Sequence, residues 1–98
     1  MSEPTLSSDE VDAALAEQGI SWDHVGDELQ TTVELHDFGE ALAFVNKVGA
    51  AAEAANHHPD IDIRWNKVHL VLTTHDSGGL TVLDLALAAA IDRMRPLR

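Results

Sequence analysis

The apolar pattern of this 98-residue chain predicts an α+β fold: a two-layer sandwich of a four-stranded antiparallel sheet packed by helices, in the order αββαββα. Three observations predict it. Two pairs of segments alternate apolar and polar residues with the period of a strand, and each pair is joined by a short turn candidate. Three other stretches repeat apolar residues at helical spacing, and each is opened by a capping residue. Nothing in the chain reads as an internal linker, a repeat or a low-complexity tract, so one domain over 1–98 is expected, its ordered part about 6–94.

The first helix is announced by LSSDEV. Ser7 is placed as N-cap and Glu10 as its capping-box partner, with Leu6 and Val11 positioned as a staple across the cap. Gly19 suits the left-handed turn that ends the helix and lets Ile20 fold back on Leu15, giving a helix over Ser8 to Gln18. SWDHV and LQTTVEL then form a strand pair around Gly26-Asp27, with Leu29, Thr31, Val33 and Leu35 on one face. Asp37 caps the second helix, with Glu40 three residues on. Its buried stripe is Ala41, Phe44, Val45, Val48, Ala52 and Ala55. Pro59 forces His58 toward an extended backbone, so this helix ends near Asn56 or His57.

The second strand pair is DIDIRW and VHLVL, with Ile61, Ile63 and Trp65 inside and Asp60, Asp62 and Arg64 outside. Asn66-Lys67 is the expected two-residue loop, asparagine suiting positive φ. That loop sets Trp65 opposite Val68, Ile63 opposite Leu70 and Ile61 opposite Leu72. Thr81 caps the third helix, with Leu80 and Leu85 as staple and Asp84 in its first turn. It is expected to run to about Met94, with Arg93 and Arg95 at its negative end. Its VLDLALAAAI is apolar around much of its circumference, which points to burial against a second copy, as a homodimer or homotetramer.

Composition excludes several function classes. Seventeen acidic residues against six basic ones give a formal charge of −11, which repels phosphate backbones and argues against direct nucleic-acid binding. There is no cysteine, hence no disulfide, thiol nucleophile or thiolate metal site. No apolar run approaches the roughly 20 residues that span a bilayer. The start, MSEPTLSSDE, lacks the layout of a signal peptide, so a cytoplasmic protein with no membrane partner is expected.

The chemistry-bearing pattern is histidine. Extending the hairpin register brings His58 opposite His75, so His57, His58 and His75 are expected to gather at one end of the sheet. His24 and His36 read as surface residues, and His69 lies on the outer face beside Arg64 and Asp62. Imidazole exchanges protons near neutral pH, so one ring can accept while another donates. Zinc is the competing use of clustered histidines. Adjacent histidines, however, diverge by about 100° on a helix or 180° on a strand, and the chain has no HExxH pattern. No metal is therefore expected. Trp65 reads as core and also as a flat surface against which a ring-shaped ligand can stack. Asp84 reads as a helix-start carboxylate that can also orient a histidine.

Glu53, the spacer AAN, His57, His58 and Pro59, followed by Trp65, His75 and Asp84, resemble the pterin-4a-carbinolamine dehydratase family, also called dimerisation cofactor of a homeodomain transcription factor. WNKVHLVLTTHDSGGLT is the most recognisable segment, and the similarity runs from Asp37 to about Ala90. The resemblance implies dehydration of a 4a-hydroxytetrahydropterin to quinonoid dihydropterin and water, in support of pterin recycling, with the pterin as substrate and no cofactor. It implies His57 and His75 as the acid/base pair and His58 as the group that binds and orients the pterin. Pro59, Trp65, Asp84 and Glu53 would be substrate-side residues; Glu53, one helical turn before His57, reads equally as a partner of that ring and as a solvated helix glutamate. The alternative is a non-catalytic scaffold that dimerises and binds a protein partner.

Overall fold

The structure, a computed structural model, describes residues 3–96. Its elements are α1 (Ser8–Gln18), β1 (Asp23–Val25), β2 (Glu28–Glu34), α2 (Phe38–Ala55), β3 (Asp60–Arg64), β4 (Lys67–Leu72), a 3-10 turn at His75–Ser77 and α3 (Val82–Asp92). The αββαββα order is the one the sequence predicts. The sheet is antiparallel throughout, in the order β1-β2-β4-β3.

Local chemistry accounts for the helix ends. Ser7 Oγ accepts from Glu10 N–H at 3.1 Å, while Ser7 N–H donates to Glu10 Oε1 at 2.8 Å. That hydrogen bond to the charged carboxylate holds the Glu10 acid below its usual range. Its contribution to stability is present above the ordinary carboxylate range and is lost as pH falls through the lowered value. Gly19 closes α1 at φ 63°, and Asp37 Oδ1 accepts from Glu40 N–H at 2.8 Å to open α2. Thr81 opens α3, its hydroxyl accepting from Leu83 N–H at 3.2 Å. α3 ends at Asp92, short of the expected Met94, because the chain winds tighter there: Met94 N–H donates to Ile91 O and Arg95 N–H to Asp92 O.

The core lies between the helices and one face of the central strands. Leu29, Val33, Val68, Leu70 and Leu72 come from the sheet, Phe44, Val48 and Ala52 from α2, and Leu85, Ala88 and Ile91 from α3. Ala55, expected in the α2 stripe, is exposed. Asp92 locks the β1 side: it accepts from Ser21 N–H at 2.7 Å, Trp22 Nε1–H at 2.8 Å and Arg95 Nε–H at 2.9 Å. Arg95 also donates to the Thr31 hydroxyl, so its guanidinium ties the carboxylate at the end of α3 to β2. The expectation of loose ends fails at Glu3, whose carbonyl accepts from the Ser77 hydroxyl, and at Arg95. For residues 1, 2, 97 and 98 it lies outside the described residues. Among the described residues no helix is long and apolar enough to cross a membrane.

The β3–β4 hairpin differs from its expected register by two residues. Arg64 pairs with Lys67, Ile63 with Val68, Ile61 with Leu70 and Asp60 with Val71. The loop is therefore Trp65-Asn66, and the left-handed residue is Trp65, at φ 54°. A two-residue shift keeps every side chain on its own face, so apolar still meets apolar and the alternation cannot distinguish the registers. Asn66 decides it. Its side-chain amide donates to Leu35 O at 2.9 Å and its carbonyl accepts from Leu35 N–H at 2.8 Å, pinning it beyond the end of β2.

Two residues expected inside are exposed. Trp65 sits at the hairpin tip with 67% of its surface exposed, and Ile61 on the edge strand is 38% exposed. Replacing Trp65 by glycine should thus shift unfolding free energy by less than about 1 kcal/mol in urea titrations. Relief of left-handed strain, about 1–2 kcal/mol, is offset by glycine's entropy cost of roughly 0.5–1 kcal/mol. A core tryptophan would instead lose about 3–5 kcal/mol on truncation, and a loss of that size would contradict the exposed placement.

Candidate active site

α2 ends in a way that separates its two following histidines. Asn56 takes a left-handed conformation at φ 49°, and His57 N–H returns to Ala52 O at 3.1 Å. This is a Schellman closure with asparagine in the position glycine usually fills. It turns the chain so that the His57 ring is buried while His58 faces outward. Pro59, half-buried, prevents the helix from resuming and leads into β3.

His57 points at the start of α3. Its Nε2 lies 2.6 Å from Oδ1 of Asp84, which is completely buried. Asp84 Oδ2 accepts from Thr81 N–H at 2.9 Å and from the Thr74 hydroxyl at 2.7 Å. A carboxylate in the first turn of a helix also meets the positive end of the helix dipole. An ionised Asp84 can only accept, and in that state Nε2 is the protonated ring nitrogen and Nδ1 the one left for proton exchange.

His75 arrives from the other side of the sheet end. β4 stops at Leu72, and the chain turns through the short 3-10 segment His75–Ser77. Thr74 N–H bonds Gly79 O at 3.2 Å, and Thr74 O accepts from Ser77 and Gly78 N–H, each at 3.0 Å. The Thr73 hydroxyl donates to Asp27 O at 2.7 Å, fastening this loop to the β1–β2 turn. His57, His58 and His75 line one open cavity of about 220 Å³, together with Asn56, Thr73, Thr74 and Asp76.

The three histidines meet, though not by the expected route. With the observed register the ladder ends at the Asp60–Val71 pair, so His58 and His75 are not a cross-strand pair. The cap of α2 and the 3-10 turn bring them together instead. Glu53 pairs with His58 rather than His57. Trp65 does not line the cavity: the five residues of β3, about 16 Å of extended chain, separate it from this end of the sheet. His24, expected on the surface, is half-buried and bonds Asp12 and Gly26 O. His69 accepts or donates a bond with the Thr32 hydroxyl at 2.8 Å on the outer face. Sequence reasoning missed Thr74 and the second use of Thr81. Only the cap pattern at Thr81 carried a signal, since the bond from Thr74 to Asp84 joins separate elements.

Among the described residues, no group of three or more histidine, cysteine, aspartate or glutamate side chains is placed to hold a metal ion. What the arrangement offers is proton exchange: one buried, oriented imidazole and two more accessible ones around an open cavity.

Such a fold and site define a small α+β protein with three histidines around one open cavity. Residues 4–94 match the family model described as pterin 4 alpha carbinolamine dehydratase, and the chain belongs to that family. A Chloroflexus aurantiacus protein provisionally named pterin-4-alpha-carbinolamine dehydratase is 54% identical over 91 residues, covering 93% of this chain and 97% of that protein. A Thermomicrobium roseum protein with the same provisional name is 53% identical over 76 residues, covering 78% and 82%. The crystal structure of a transcriptional coactivator/pterin dehydratase from Brucella melitensis superposes with a TM-score of 0.87 at 26% identity, over 94% of this chain and 99% of that one. A pterin dehydratase-like RuBisCO assembly factor of the alpha-carboxysome shares the fold, with a TM-score of 0.63 at 19% identity over 79% and 89% of the two chains.

The two carboxylate–histidine pairs beside the cavity should differ sharply in worth. Asp84→Ala strands three donors in a buried place and should cost at least about 3 kcal/mol in urea unfolding. Glu53→Ala, at an exposed pair, should cost under about 1 kcal/mol. Equal losses would contradict this division.

Proposed function

We propose that the protein dehydrates a 4a-hydroxytetrahydropterin to quinonoid dihydropterin and water by histidine acid–base catalysis. The observation that carries this reading is the convergence of His57, His58 and His75 on one cavity, with His57 held from behind by buried Asp84. Family membership supplies the substrate class.

Loss of water from a carbinolamine breaks the C4a–O bond and forms a C4a–N5 double bond. The hydroxyl needs a proton to leave as water, and N5 gives up its own. One imidazolium and one neutral imidazole balance these transfers, and proton exchange with solvent resets the two rings after each turnover. His57 and His75 are the acid/base pair in this proposal. His57 Nδ1 is the exchanging atom, since Nε2 is bonded to Asp84. His58, steadied by Glu53, orients the pterin. The exposed acidic surface raises solubility and disfavours phosphorylated competitors through its net charge of −11.

Self-association belongs to the same proposal. α3 exposes Val82, and α2 and α3 leave between them a shallow groove lined by Ala51, Ala54, Ala86 and Ala90. A purely monomeric mass by light scattering would remove this part.

In an assay on a synthetic carbinolamine, His57→Ala and His75→Ala should each lower kcat by about 10²–10⁴-fold while circular dichroism stays native. Undiminished turnover in both variants would refute the assignment. Absence of turnover by the unsubstituted protein would favour a binding module on this scaffold.

A further inference from the structure

We propose that Thr74 is a positioning residue that sets both proposed acid/base histidines at once, through its side chain for His57 and through its backbone for His75. The inference rests on the catalytic reading above for its kinetic consequences, but its structural content stands on the geometry alone.

The hydroxyl of Thr74 has one hydrogen, and Asp84 Oδ2 takes it at 2.7 Å. The Thr81 hydroxyl, 2.8 Å away, must then donate to Thr74, while itself accepting from Leu83 N–H. A single direction of donation results, from Leu83 N–H through Thr81 and Thr74 to Asp84, and the far oxygen of Asp84 holds His57 Nε2. Both threonines are buried. Aligned hydrogen bonds of this kind reinforce one another. With Oδ2 occupied by Thr74 and Thr81 N–H, the carboxylate plane is fixed and Oδ1 is left for the imidazole.

The backbone of the same residue carries the other histidine. Thr74 forms the bridge to Gly79, and its carbonyl receives the N–H groups of Ser77, Gly78 and Gly79, which close the turn that begins with His75. Displacing Thr74 therefore moves His75 relative to the cavity and loosens the orientation of His57 together. Thr74 also lines the cavity, but both roles act through the histidines, which makes it a positioning residue.

Thr74→Val keeps the shape and removes the hydroxyl; Thr74→Ser keeps the hydroxyl. In carbinolamine turnover the valine variant should lose about 10–100-fold in kcat, the scale expected of a small misplacement, with KM within about twofold. The serine variant should recover most of that loss. Imidazole nitrogen chemical shifts should show His57 as the Nε2–H form in the unsubstituted and serine proteins and as a mixture of ring forms in the valine protein. Should Thr74→Val fail to fold, Thr74→Cys, with a thiol that donates weakly, makes the same comparison. His57 shifts unchanged in the valine or cysteine variant, or a serine variant as impaired as valine, would overturn the proposal. If the unsubstituted protein does not turn over carbinolamine, the catalytic reading fails, and the ring shifts still decide whether Thr74 positions His57.

Discussion

A buried carboxylate governs this structure. Placing Asp84 where no water reaches it is unfavourable unless its oxygens are filled, and three donors from three parts of the chain fill them. His57 comes from the end of α2, Thr74 from the exit of β4 and Thr81 from the start of α3. The fold cannot close around Asp84 without bringing these elements together. Stability and site geometry thus rest on the same few hydrogen bonds.

This arrangement gives the three histidines different environments from nearly the same address. His57 is fixed in ring orientation by a partner that never meets solvent. His58, one residue later, pairs with Glu53 in the open. His75 stands across the cavity, exposed on a tight turn. An elimination of water needs one donor and one acceptor of protons at different places around the substrate. In the proposed dehydration, a buried, aimed ring opposite a more exposed one would meet that requirement.

Much of the architecture was legible because its signals are local. Ser7, Asp37 and Thr81 announce helix starts, and Gly19 and Pro59 announce ends, through backbone chemistry that acts within a few residues. The alternation in LQTTVEL and VHLVL marked the core face of the sheet correctly. Register was not legible to the same degree: two registers place Ile61 and Ile63 on the same face, and the bond between Asn66 and Leu35 that separates them spans distant segments. The exposure of Trp65 follows from that choice. At the site, the histidines and Asp84 were legible as residue types in a spaced pattern. The partnership of Glu53 with His58 and the service of Thr74 were not, since each depends on where a cap or a turn finally points a side chain.

The most direct test is a crystal structure with a reduced pterin that lacks the 4a-hydroxyl and so cannot be dehydrated. The account predicts the bicyclic ring within hydrogen-bond reach of His57 and His75, with His57 Nδ1 on the ligand side and Nε2 still on Asp84. A ring seated in the α2–α3 groove or beside Trp65, with the three histidines untouched, would contradict it.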